Sequence, residues 1–227
     1  MAQFRHREGL FSMPFTFDNY LGIVKSLLRE DKTVFIKHNV YFSLEKALEM
    51  AEFENLHKIK SSYLISFSSP FYNAMNKDSI EKIRMIKSLG HGIGLHFDIG
   101  VIQNEEKELD TISAQKFMME AYISSHIDYI TFRGKPIPSY EFTTKVQLQG
   151  LICPDYDTRY SHISDSINDI EINPEDIKVR ERFLLGVQPI WWGVEAMDWQ
   201  ERLASLELNK KIEKAMHKEV EELEQSI

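Results

Sequence analysis

One cysteine, Cys153, stands in 227 residues, so neither an internal disulfide nor a cysteine-rich metal site can form, and the fold has no need of an oxidising compartment. Basic residues are in deficit. The 27 Lys and Arg face 35 Asp and Glu, and a net charge of −8 gives no field to gather a polyanion, which argues against nucleic acid as a partner. No run approaches the roughly 18–20 consecutive apolar residues of a membrane span. The N-terminal stretch sets Arg5, His6, Arg7 and Glu8 ahead of short apolar pieces only, so it lacks the apolar region of a secretory signal. These absences predict a cytoplasmic protein with no membrane span. With 10 glycines, 7 prolines and 43% hydrophobic residues, the composition excludes a collagen-like or disordered chain. No phosphate-cradling G-x-x-x-x-G-K occurs, and Gly90-His91-Gly92-Ile93-Gly94 precedes a strand rather than following one, so nucleotide chemistry has no support.

What is present is an alternation of helical and strand-like patterns. Residues 17–28 space Tyr20, Leu21, Val24, Leu27 and Leu28 as an amphipathic helix, with Asp18 as a candidate cap. Residues 33–40 read as a strand, 43–56 as a helix opened by Ser43, 63–67 as a strand, and 79–89 as a helix closed by Gly90. Strands follow at 93–97, 129–132 and 182–187, with a helix at 114–124. Repeated strand–helix pairs predict an α/β fold on parallel strands, an open sheet or a barrel, with functional groups at the carboxyl ends of the strands. That criterion selects His38 to Tyr41, Ser69 to Asn73, Leu95 to Asp98 and Gln188 to Trp192. Residues 136–174 look irregular, fit for an edge hairpin or a lid. Residues 1–194 form the expected domain, and 195–227 a helical extension packed on it, with the oligomeric state left open.

Among candidate chemical groups, His91 and His96 point to opposite faces of one strand, whereas His96 and Asp98 share a face. A His-x-Asp pair can hold a divalent cation or form a dyad, and it can equally be an ordinary hydrogen-bonded strand end. Asp155, Asp157, His162 and Asp165 form an acidic cluster, suited to a metal, a sugar or simple solvation. Cys153 reads as a small buried hydrophobe. Phe71, Tyr72, Trp191 and Trp192 lie on strand-end loops, where flat rings suit the C–H faces of sugars or else pack into the core.

Four blocks, HNVYFSLEKALEMAEFE, SSYLISFSSPFYN, IKSLGHGIGLHFD and LLGVQPIWWG, recur in the order and spacing of the polysaccharide deacetylase-like superfamily. The chain resembles most closely its surface-polysaccharide biosynthesis branch, related to the NodB-homology or carbohydrate esterase family 4 enzymes. The resemblance implies a distorted (β/α) barrel, an N-acetylated or otherwise acylated sugar as the partner, and a divalent metal such as Zn²⁺ that polarises the acetamide carbonyl and activates water. It places Asn39 at the catalytic base position, Gln188 at the general acid position, His96 with Asp98 at the metal, and Tyr41, Tyr72, Arg133, Trp191 and Trp192 around the substrate.

The departures from the family pattern are chemical. Relatives read His-Asp-Val-Asp in the first block, where this chain has Asn39 and Tyr41. Many carry a second ligand histidine where Gly100 stands, and a histidine where Gln188 precedes Pro189. Asn in place of Asp removes a proton acceptor, Gln in place of His removes a group that donates near neutrality, and Tyr in place of Asp removes a hard anionic ligand. Two expectations follow: hydrolysis through a rebuilt site on His96, Asp98 and one of Asp155, Asp157 or Asp165, or a sugar-binding pseudoenzyme without metal. A scaffold acting through the C-terminal helix is the remaining alternative.

Overall fold

The computed structural model describes residues 14–206 except 30, 31, 101, 103, 136, 166–169, 171–176 and 178. Six strands, β1 (Thr33–Val40), β2 (Ser62–Ile65), β3 (Gly92–Ile99), β4 (Tyr129–Gly134), β5 (Ser161–Ser164) and β6 (Arg182–Val187), pair in the order β4-β3-β2-β1-β6-β5. All five pairings are parallel. Helices α1 (Phe17–Leu27), α2 (Leu44–Leu56), α3 (Lys77–Ser88), α4 (Glu105–Ile123), α5 (Tyr140–Leu148) and α6 (Trp199–Ala204) accompany this curled α/β half-barrel. Among the described residues no helix is long and apolar enough to cross a membrane.

Alternation along each strand sorts the side chains into two layers. Ile36 and Val40 of β1, Tyr63 and Ile65 of β2, Ile93, Leu95, Phe97 and Ile99 of β3, and Phe183, Leu185 and Val187 of β6 join the helices in one core. The opposite parity carries Lys37, Asn39, His96, Asp98, Thr131 and Arg133, and it faces the inside of the curl. Space there is tight at Gly94, where a Cβ would lie 2.5 Å from both Leu64 Cδ2 and the Tyr129 carbonyl oxygen, so a side chain would force β3 and β4 apart. After β4 the chain bridges that edge again at Ile152, whose N–H donates to the Asp128 carbonyl at 2.7 Å. It then crosses the inner face, where Asp155 meets Lys37, and reaches β5 at the opposite edge.

Several local readings shift. Residues 136–174 hold α5 and β5, and β5 pairs parallel with β6 rather than folding into an edge hairpin, with one antiparallel bridge from Asp165 to Ile170. The cap of α1 is Thr16, which accepts from the Asn19 N–H at 3.3 Å, not Asp18. Helix α4 starts at Glu105, capped by Asn104, nine residues before the apolar spacing becomes visible. Ser43 caps α2 as expected. Of the helical extension expected over 195–227, α6 is described, capped by Asp198 in a reciprocal box with Glu201, while 207–227 lie outside the described residues, as do the N-terminal residues 1–13.

On the helix side of β1, His38 is fully buried and meets Glu54 of α2 through Nε2 at 2.9 Å. The hydroxyls of Tyr63 (2.7 Å), Ser61 (2.6 Å) and Tyr20 donate to the same carboxylate. Burial alone would raise Glu54, but His38 and these donors outweigh it and hold the carboxyl at about 2. This network clamps the carboxyl end of β1 from outside, and so sets the orientation of Asn39 on the inside.

Candidate functional site

At the carboxyl ends of the strands a cavity of about 460 Å³ is lined by Asn39, Tyr41, Phe42, His96, Arg133, Gln188, Trp191, Trp199 and Leu203, a volume within the usual range for small-ligand sites of about 300–1,000 Å³. A hollow of 340 Å³ beside it lies between the starts of α2 and α3, and another of 670 Å³ lies between α4 and α5. The strand-end cavity is the one that gathers the inner-face residues of β1, β3 and β4 together with the turn after β6.

Its geometry begins with His96, buried on β3 opposite Thr131 of β4. The two side chains meet through Nδ1 and Oγ1 at 2.9 Å, and the Thr131 hydroxyl donates onward to Asn39 Oδ1 at 3.4 Å. A hydroxyl has one proton to give, so this chain of bonds assigns the proton of His96 to Nδ1 and leaves Nε2 a bare acceptor. Asn39 spends its oxygen on Thr131 and keeps an amide that donates and cannot take up a proton. Burial first, then the Lys37 cation, hold His96 down at about 4.

Above His96, the Arg133 guanidinium lies over the Tyr41 ring, 3.8 Å from its centroid, and Nη1 donates to Asp98 at 3.1 Å. Ser68 donates to the other Asp98 oxygen. Tyr41 meets His96 edge-on with centroids 6.5 Å apart. Below, the buried Lys37 is paired with Asp155. The last wall is the turn after β6. Buried Asp165 accepts from the Gln188 N–H (2.8 Å) and from the Trp192 indole (2.9 Å), and burial outweighs both donors to raise its carboxyl to about 7.

Of the residues expected at the site, Asn39, Tyr41, His96, Arg133, Gln188 and Trp191 come together around the cavity. Asp98 stands behind Arg133. The other two lie away from this cavity. Tyr72 braces the strand ends, its hydroxyl donating to the Val40 carbonyl at 2.6 Å and accepting from the Ser66 N–H at 3.1 Å, and it borders the neighbouring hollow instead. Trp192 has no exposed surface and packs on Phe15 and Tyr20. The acidic cluster disperses: Asp155 binds Lys37, Asp157 binds Arg159, and Asp165 shapes the turn. Cys153 is buried, its thiol pushed up to about 12 by burial and by Asp155.

Lys37, Thr131, Trp199 and Leu203 are not among the site residues expected from the sequence. Lys37 and Thr131 each precede a selected residue by two, hence share its face, and that parity could have found them. Nothing local points to Trp199 and Leu203, since α6 reaches the cavity through the fold.

A divalent metal does not fit these donors. His96 offers one nitrogen, but Asp98 is engaged by Arg133 and Ser68, Asp155 by Lys37, and two cations flank the histidine. Among the described residues no group of three or more His, Cys, Asp or Glu converges.

The neutral state of His96 sets a pH dependence. An unperturbed histidine titrates near 6.5, so as pH falls from 6.5 to about 4 the unfolded chain takes up a proton that the folded one refuses. Stability present above pH 6.5 is lost across that window, by about 3 kcal/mol at most. His96→Asn is expected to flatten the slope of the thermal midpoint there, and an unchanged slope would assign the acid sensitivity to other groups.

No family model and no curated sequence matches the chain. Solved structures do. A carbohydrate esterase family 4 (CE4) esterase from Streptococcus mutans aligns with a TM-score of 0.55 at 9% identity, over 82% of this chain and 83% of its own. The peptidoglycan deacetylase PdaC from Bacillus subtilis, in a mutant form, aligns with a TM-score of 0.50 at 10% identity, over 86% and 98%. A CE4 family pseudoenzyme from Bacillus anthracis gives 0.49 at 12% identity over 82% of this chain, which spans 62% of that protein's length. The six-stranded parallel half-barrel and its alignment with the S. mutans esterase lead to one conclusion: this chain has the polysaccharide deacetylase-like fold of carbohydrate esterase family 4.

Proposed function

We propose that the protein recognises a sugar in the cavity around Asn39, His96 and Trp191 without metal-dependent hydrolysis, as a pseudoenzyme of surface-glycan biosynthesis. The observation that carries this reading is the state of the three groups hydrolysis would use. Asn39 cannot accept a proton, Gln188 cannot donate one as an acid, and the carboxylates nearest His96 are bound to protein cations. What remains suits a hydroxylated ring. Nε2 of His96 accepts, the amides of Asn39 and Gln188 donate, and Trp191, Trp199 and Phe42 supply flat apolar walls.

The test pairs elemental analysis with binding. The purified protein, incubated with Zn²⁺ and dialysed, is expected to retain well under one equivalent of metal and to release no acetate from chito-oligosaccharides, while titration calorimetry with the same sugars shows binding. One equivalent of metal that disappears in His96→Ala, together with acetate release, would instead establish a rebuilt hydrolytic site.

Trp199 is the informative aromatic. Trp191 is only 4% exposed, so its removal disturbs packing as well as binding, whereas Trp199 is 41% exposed at the cavity edge. Trp199→Ala is expected to weaken sugar binding about tenfold, or ~1.4 kcal/mol. Its thermal midpoint should stay within about 2 °C, as for other exposed substitutions. Unchanged affinity would remove α6 from the binding surface.

A further inference from the structure

The cavity is lined by neutral groups with one exception. Asn39, Tyr41, Phe42, Gln188, Trp191, Trp199 and Leu203 carry no charge and His96 is held neutral, so among the described lining residues Arg133 supplies the formal charge, in a chain whose net charge is −8. Its side chain is 47% exposed. A guanidinium has five N–H donors in a planar fork. One of them is given to Asp98, one face is covered by the Tyr41 ring at 3.8 Å, and the remaining donors meet no acceptor among the described residues. Asp98 offsets part of the charge through its bond to Nη1 and leaves the other N–H donors of the fork unpaired among the described residues. Stacking on Tyr41 fixes the plane of the guanidinium, and a fixed fork with a free edge is the arrangement that selects a planar, bidentate acceptor.

We infer that the sugar recognised here is acidic, a hexuronic acid residue whose carboxylate is held by Arg133 while its ring lies against Trp191 and Trp199. This rests on the sugar-binding reading above and adds the substrate class to it. The neutral groups of the pocket then have distinct partners, since the bare Nε2 of His96 accepts from a ring hydroxyl and the Asn39 amide donates to one. A buried carboxylate that would repel the ligand is absent from the described lining, as this occupant requires.

Titration calorimetry at low ionic strength decides the matter with three probes: methyl glucuronide, its neutral amide, and glucose 6-phosphate. Methyl glucuronide is expected to bind at least 30-fold more tightly than the amide, with a preference that shrinks as salt is raised. Arg133→Gln should erase the preference, bringing methyl glucuronide and its neutral amide to equal affinity. Arg133→Lys, which keeps the charge and loses the fork, should retain only part of it. Equal binding of the acid and the amide, reduced alike by Trp199→Ala, would overturn the acidic-sugar assignment and leave the sugar site standing. Tighter binding of glucose 6-phosphate than of methyl glucuronide would overturn the carboxylate in favour of a phosphate. Failure of all three probes and of neutral chito-oligosaccharides would overturn both readings.

Discussion

Replacing Glu54 by glutamine is expected to unfold the protein well below the wild-type midpoint, although the two side chains have the same shape. Glu54 is buried, and its two oxygens receive the hydroxyls of Tyr20, Tyr63 and Ser61 and the Nε2 of His38. Glutamine returns one acceptor oxygen, and its NH₂ group donates where some of these groups had found an acceptor, so their protons must turn elsewhere. At least one of these donors is then buried without an acceptor, beside His38, whose Nδ1 already has no partner among the described residues. Breaking a buried charged network typically costs about 3–5 kcal/mol. For a domain of this size that corresponds to a fall of roughly 6–20 °C in thermal midpoint. The wild-type protein should show the acid limb of the same effect. Its Glu54 carboxyl is held at about 2 against an ordinary value of 4.5, so the stability it contributes is complete above pH 4.5 and disappears as pH falls towards 2. That limb should be missing in Glu54→Gln, and a variant with wild-type midpoint and acid profile would show that the carboxylate is not ionised in the folded chain.

Trp192→Ala should be comparably damaging, and through the site as well as the core. The indole is fully buried, packs edge-on against Phe15 (4.9 Å between centroids) and Tyr20 (5.5 Å), and donates its N–H to Asp165. Truncating a buried tryptophan costs about 3–5 kcal/mol through lost burial and the cavity left behind. Asp165 also holds the Gln188 N–H, so the turn that carries Gln188 and Trp191 loosens with it. Sugar affinity should therefore fall together with stability, unlike in Trp199→Ala. Trp192→Phe separates the parts: it keeps most of the packing, leaves Asp165 short of one donor, and should lose less stability than the alanine variant. Tyr20 touches both Trp192 and Glu54, so the double variant should depart from additivity. Strict additivity would mean that the two clusters are energetically separate.

Elements with a strong apolar or cap pattern were legible from the chain alone. Strands β1 and β6 fall on the expected residues because β-branched and apolar runs there are bounded by polar turns, and α2 begins after Ser43 because its hydroxyl receives the Lys46 N–H. The first turns of α4, Glu105 to Ser113, were not, since only Glu108, Leu109 and Ile112 of that highly polar stretch turn inwards, too few to mark a period. Strand β5, four residues of mixed polarity, exists because β6 offers it an edge to pair with. The deacetylase fold was readable from four blocks in their order. Of the candidate site, the strand-end positions were readable, and the approach of α6 to the cavity was not.

What the sequence by itself determined is the direction of each strand's side chains. Pleating is local, so Asn39 opposes His38, and His96 shares a face with Asp98 and opposes His91, whatever surrounds them. Tertiary structure alone decided which of these meet. The parallel register sets His96 beside Thr131 and Asp98 beside Arg133, the curl brings Arg133 over Tyr41, and the buried turn after β6 sends Trp191 to the cavity and Trp192 to the core. Two adjacent tryptophans are alike to any local rule. They are told apart by long-range burial and by a single acceptor, Asp165, delivered from another strand.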